Sequence, residues 1–198
     1  MSESDSPHKG YYTRGYLPHL DEAERQQFVT FRLADSLPAS VIEGWKQELR
    51  HTPKDRAEVE LRRRGEKYLD SGMGSCILHD PDFAGSIIDA LRRGDDSSYR
   101  LLAFTIMPNH AHVLMQQVKG HSLPVVVRNW KGRSAREINL LRSRSEPVWQ
   151  LDYFDRYIRD EKHFTDVVAY ILMNPVKAGL VPEPEDWPFS WVRPELMG

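Results

Sequence analysis

An apolar segment and its hairpin partner, either side of Pro108-Asn109, constrain this chain more than any other feature. Tyr99 to Met107 (YRLLAFTIM) is almost wholly apolar, and His110 to Val118 (HAHVLMQQV) follows at once. A continuous apolar run of strand length belongs in the middle of a sheet rather than at its edge. The short Pro-Asn link then makes the two strands a hairpin. Gln26 to Ala34 (QQFVTFRLA) adds a third strand, with Phe28, Thr30 and Arg32 on one side and Val29, Phe31 and Leu33 on the other. Pro147 to Ile158 is aromatic-rich and reads as the last strand with its approach.

Between these lie helical patterns. Pro38 opens a helix over Ala39 to His51, and the charged stretch Lys54 to Leu69 reads as a second, mostly solvated one. Asp80-Pro81 starts a third, Ser122 to Arg142 is a basic helix, and Glu161 to Gly179 closes the series with Gly179 as its cap. Pro175 inside that last pattern predicts a kink or restart between Met173 and Val176. The order of elements is β, helices, β, β, helix, β, helix. It predicts an α+β fold: a ferredoxin-like antiparallel sheet with helices on one face. An N-terminal arm (Tyr11 to Leu20), a helical insertion and a C-terminal tail decorate it. One domain over 1–198 is expected, with 1–10 a flexible lead and 182–198 an irregular tail.

Composition narrows the function classes. One cysteine, Cys76, excludes an internal disulfide framework and a cysteine-built zinc knuckle. No run approaches the roughly 20 apolar residues of a membrane span, and the polar N-terminus lacks a secretory signal, so a cytoplasmic protein without membrane contact is expected. The formal charge of −2 hides a gradient: Lys119 to Ser145 holds seven basic residues against one acidic, a local +6. Such a window is either a solvated helix face or the positive side of a directed field.

Two constellations can carry chemistry. His110 and His112 sit at i and i+2 of a strand, which aims both imidazoles from one face and suits them to share a metal. A structural zinc site is disfavoured, because no nearby Cys or further His completes a tetrahedron. Tyr170 and Asn174, four apart on a helix, project from one side. A phenol can act as a nucleophile and an amide oxygen can complete a coordination shell. The alternative is a buried Tyr with its hydroxyl bonded and an Asn tied to the helix end before Pro175.

Four segments in this order, YYTRGYLPHLDEAERQQFVTFRLADSLP, MPNHAHVLM, WQLDYFDRYIRDEKHF and YILMNPVKAGLV, resemble the REP-associated tyrosine transposases. These are bacterial relatives of the single-tyrosine transposases of the HUH nuclease superfamily. The resemblance covers nearly the whole chain, roughly Tyr11 to Ser190. It implies a divalent metal, Mg2+ or Mn2+, and a single-stranded DNA partner with a palindromic hairpin. The implied reaction is metal-dependent cleavage and strand transfer through a 5′-phosphotyrosine. His110 and His112 match the metal-binding pair and Tyr170 the nucleophile. Asn174 stands where the insertion-sequence members carry a metal-binding Gln, and DWPFS at 186–190 resembles a C-terminal family segment. The resemblance further implies no small-molecule cofactor, action as a monomer or homodimer, and a bacterial, nucleoid-associated location. A DNA partner gives the basic helix a role, with Arg128, Lys131, Arg133 and Arg136 on phosphates, adds Lys177 about two turns after Tyr170 as a further phosphate contact, and sets Arg14 and Tyr16 on the hairpin. Trp130 is either core or a stacking platform, and His163 is expected at the surface. Two rival functions stay open: a nuclease whose nucleophile is water, and a non-catalytic hairpin-binding protein domesticated from a transposase.

Overall fold

The structure, a computed structural model, describes residues 8–14 and 17–196. Most of the expected lead and Tyr16 of the arm therefore lie outside the described residues. Strands β1 (Gly10–Arg14) and β2 (Leu17–Asp21) pair antiparallel, so the arm is a hairpin. The main sheet has five strands in the order β6-β3-β5-β4-β7, every pairing antiparallel. They are β3 (Gln26–Arg32), β4 (Tyr99–Ile106), β5 (His110–Gln117), β6 (Phe154–Tyr157) and β7 (Ser190–Val192).

The first four of these, with crossover helices α3 (Pro81–Arg92) and α4 (Leu123–Leu141), form the expected ferredoxin-like order. The expected insertion is present as α1 (Ala39–Glu48) and α2 (Lys54–Asp70). The irregular tail needs correction: Ser190–Val192 adds a short strand beside β4. Trp187 inserts beneath it, its indole N–H donating to the Ile106 carbonyl at 3.0 Å.

The expectation of helices on one face holds only for the two crossover helices. Alternation along the strands sends Val29, Phe31, Phe104, Ala111, Val113 and Met115 to one face. There they pack with Ile87 and Leu91 of α3 and Val127, Trp130 and Ile138 of α4. Trp130 is thus core, meeting Tyr99 edge-on. The other face is covered by α5 (Glu161–Lys177), whose Val167 and Ile171 pack on Phe28, Leu102, Ala103 and Leu114. A bulge between Leu101 and Ala103 helps, because it turns both Leu102 and Ala103 toward α5. Since residues 110, 112 and 114 share a face, α5 covers the same side that carries the two histidines.

Local chemistry bounds α5 well. Asp160 caps its start by accepting from the His163 N–H at 2.7 Å. At the other end Gly179 adopts a φ of +70°, and the N–H groups of Gly179 and Leu180 close onto the Val176 and Pro175 carbonyls. The helix runs through Pro175 to Lys177 without the restart expected there. Pro175 lacks only its own N–H, so the helix forgoes one bond to the Ile171 carbonyl and continues.

Candidate active site

His110 and His112 extend from β5 toward α5 and are both buried. Their Nε2 atoms lie 2.8 Å apart, and each ring is held from behind at Nδ1. Asn109 Oδ1 accepts from His110 Nδ1 at 2.6 Å, and Thr30 Oγ1 lies 2.8 Å from His112 Nδ1. Phe28 stacks on the His112 ring at 5.3 Å between centroids. Burial, reinforced by the neighbouring His112 and opposed by the Asp70 carboxylate, holds the His110 pKa down to about 4. The imidazole is then neutral at physiological pH, as a metal ligand must be.

Asp70, the last residue of α2, completes the cluster. Its Oδ1 stands 3.4 Å from His110 Nε2 and 3.6 Å from His112 Nε2. Together the three side chains offer ligand atoms within 4.8 Å of one another, the arrangement of a small metal site. That carboxylate oxygen is buried and has no hydrogen-bond partner. A buried, unpaired carboxylate oxygen aimed at two imidazoles is what a divalent cation would satisfy. Burial pushes the Asp70 pKa up, but its closeness to the two histidines outweighs this, and the net shift is downward.

Tyr170 closes the site from α5. Its hydroxyl donates to Asp70 Oδ2 at 3.0 Å and lies 3.4 Å from His112 Nε2. The phenol is half-buried, edge-on to Phe28 and His112, so it is neither lost in aliphatic packing nor distant from the paired rings. Burial first, then the Asp70 charge, raises its pKa well above that of a free phenol. Asn174, one turn on, is buried; its amide favours the phenolate, and its Oδ1 has no hydrogen-bond partner. Lys177 is exposed, its ammonium 5.7 Å from the centre of the Tyr170 ring.

The remaining expected contacts sit elsewhere. Arg128, Arg133 and Arg136 are exposed on α4, which packs on the sheet face away from the histidines. Lys131 on the same helix turns its ammonium onto the carbonyls of Gln150, Leu151 and Asp152 at 2.7, 2.8 and 3.4 Å. Arg14 ends β1, and Tyr16 falls outside the described residues. His163 is buried rather than at the surface, its Nδ1 accepting from the Arg159 N–H at 3.2 Å. Ser190 of the DWPFS segment donates to Thr105 Oγ1 at 2.8 Å, fastening β7 to the strand beside the histidines. Sequence reasoning missed Asp70 altogether. A single aspartate ending a charged helix has no local signature that separates it from its solvated neighbours.

The family model described as "Transposase IS200 like" matches residues 86–174, which include His110, His112, Tyr170 and Asn174. A REP-associated tyrosine transposase of Escherichia coli is 31% identical over 96 residues, 48% of this chain and 55% of that protein. An uncharacterized Haemophilus influenzae protein is 36% identical over 98 residues, 39% of this chain and 54% of that one. The chain thus spans about half the length of the curated relatives it matches. In fold it is similar to a REP-associated tyrosine transposase solved bound to a REP hairpin, with TM-score 0.54 and 19% identity over 92% of this chain and 82% of that chain. Among the described residues no helix is long and apolar enough to cross a membrane. The chain is thus similar over residues 86–174 to the IS200-like transposase family and in fold to a solved REP-associated tyrosine transposase.

Proposed function

We propose that the chain is a metal-dependent endonuclease and strand transferase acting on single-stranded DNA beside palindromic, REP-type hairpins. The observation that carries this reading is the meeting of Tyr170 Oη, Asp70 and the two imidazoles within hydrogen-bond reach. His110, His112 and Asp70 are the residues that would hold a divalent cation, and Asn174 Oδ1 is a further free acceptor beside Tyr170. Two imidazoles and one carboxylate suit Mn2+ better than Mg2+, which prefers an all-oxygen shell. When bound, the cation supplies positive charge that offsets the Asp70 carboxylate and draws electron density from the scissile phosphate.

The chain's own residues do the rest. The 3.0 Å hydrogen bond to Asp70 holds the Tyr170 oxygen at the cluster, so the nucleophile needs no search. Attack of that oxygen on phosphorus forms the Tyr–O–P bond and breaks the bond to the 3′ oxygen, which leaves as a hydroxyl once protonated. The phosphodiester energy stays in the covalent link, so a second 3′-hydroxyl can reverse the step and join strands without ATP. The ammonium of Lys177, beside the Tyr170 ring, is placed to pair with a phosphate. Arg128, Arg133 and Arg136 on the far face serve duplex or flank DNA at a distance from the chemistry, and Arg14 and Tyr16 are assigned to the hairpin. This reading places the chain in the bacterial cytoplasm, at the nucleoid.

Incubation with single-stranded hairpin oligonucleotides and Mn2+ tests this. A denaturation-resistant DNA adduct should form and vanish in Tyr170→Phe. Cleavage that persists in that variant would make water the nucleophile. Hairpin binding with no cleavage at any metal concentration, unaffected by His110→Ala and His112→Ala, would make the chain a non-catalytic binder.

A further inference from the structure

Asn109 links β4 to β5 and is fully buried. Its amide nitrogen donates to the Leu69 carbonyl at 3.2 Å and the Met73 carbonyl at 2.7 Å, which flank Asp70 at the end of α2. A carbonyl only accepts, so these two contacts decide which end of the amide faces α2. The amide oxygen is then left facing His110 Nδ1, 2.6 Å away, and an oxygen here can only accept. His110 Nδ1 must carry the hydrogen. A neutral imidazole carries one, so Nε2 presents its lone pair, on the side where Asp70 Oδ1 waits at 3.4 Å.

We infer that Asn109 is the positioning residue of this centre: it selects the His110 tautomer whose Nε2 is free to ligate, and it ties the end of α2, with Asp70, to the hairpin that carries both histidines. One side chain thereby registers ligands from two distant segments. Outer hydrogen bonds of this kind typically change metal affinity by about 10–100-fold when removed. The inference rests on the metal reading above, but its first half concerns the metal-free protein and can be measured there.

The test uses the full chain with 15N-labelled histidine. Two-dimensional long-range 1H–15N spectra of the metal-free protein report the tautomer of each ring, and calorimetry with MnCl2 reports affinity. The wild type should hold His110 as the Nδ1–H form. Asn109→Leu, which removes all three hydrogen bonds, should populate the Nε2–H form and weaken Mn2+ binding by about 10–100-fold. Asn109→Asp keeps an oxygen on His110 but loses both donors to α2; it should keep the tautomer and still lose affinity several-fold. A wild type already in the Nε2–H form overturns the inference whether or not any variant folds. A folded Asn109→Leu with unchanged tautomer and affinity overturns it too, and unchanged affinity in Asn109→Asp overturns the tie to Asp70. A wild type that binds no Mn2+ overturns the metal reading, while the tautomer comparison still decides what Asn109 does to His110.

Discussion

Tyr170 and Asp70, a hundred positions apart in the chain, are joined by a 3.0 Å hydrogen bond from the phenol to Oδ2, while Oδ1 of the same carboxylate faces both histidines. Asp70 therefore hydrogen-bonds the candidate nucleophile with one carboxylate oxygen and faces the candidate metal ligands with the other. Helix α2, read as a solvated decoration, delivers it.

Asp70→Asn separates these two contacts. The variant should bind Mn2+ at least about tenfold more weakly, since a charged ligand becomes a neutral one. It should also lower the Tyr170 pKa. Burial, the largest cause of the raised value, remains, but the negative charge that opposes the phenolate is gone. NMR titration of ring-labelled tyrosine measures the second effect; an unchanged or higher pKa would contradict the hydrogen bond.

Lys131 and Arg136 sit on one helix and should behave oppositely. Lys131→Met leaves three carbonyls without their ammonium and should cost about 0.5–1.5 kcal/mol in urea unfolding. Its effect on the salt dependence of hairpin binding should be small. Arg136→Ala should leave stability within about 0.5 kcal/mol and, if Arg136 contacts a phosphate, reduce the salt slope by about 1.

Asp21 fastens the arm hairpin to the core and gives the fold an acid limit. Burial by itself would raise its pKa, but hydrogen bonds from the Leu123 N–H, Gln117, His8 and the Lys9 N–H together lower it. A carboxyl whose folded pKa lies below its unfolded value of about 3.9 stabilises the fold above that pH, and the contribution is lost as pH falls through the folded value. Asp21→Asn should cost about 1–3 kcal/mol at pH 7, and the gap from wild type should narrow below about pH 3.9. Thermal unfolding across that range reads both.

Gly74 tests how firmly the end of α2 must be seated. It has a φ of +85°, and a Cβ there would stand 2.0 Å from the Ser36 carbonyl oxygen. Gly74→Ala combines backbone strain with a backbone clash and should cost roughly 2–4 kcal/mol. Because the displaced segment adjoins Met73, whose carbonyl Asn109 holds, Mn2+ affinity should fall as well. Wild-type stability in the variant, by chemical denaturation, would show that the turn relaxes freely.

Much of the fold was legible because it is written in short-range patterns. The apolar run at 99–107 and its partner at 110–118 announced a hairpin, and period-two alternation put His110 and His112 on one face. Helical spacing likewise set Tyr170 and Asn174 on one side of α5. The tail was harder to read, since three residues between prolines show no alternation to recognise, and Lys131 looked like any other cation of a basic helix.

The sequence by itself determined which residue types share a strand face or a helix turn, because those relations depend only on the repeat of the backbone. Tertiary structure alone decided that α5 lies opposite α3 and α4, that Asp70 enters the histidine cluster, and that Lys131 is spent on carbonyls. Each of these depends on where a connection returns the chain, and no local periodicity encodes which distant side chain will be met there.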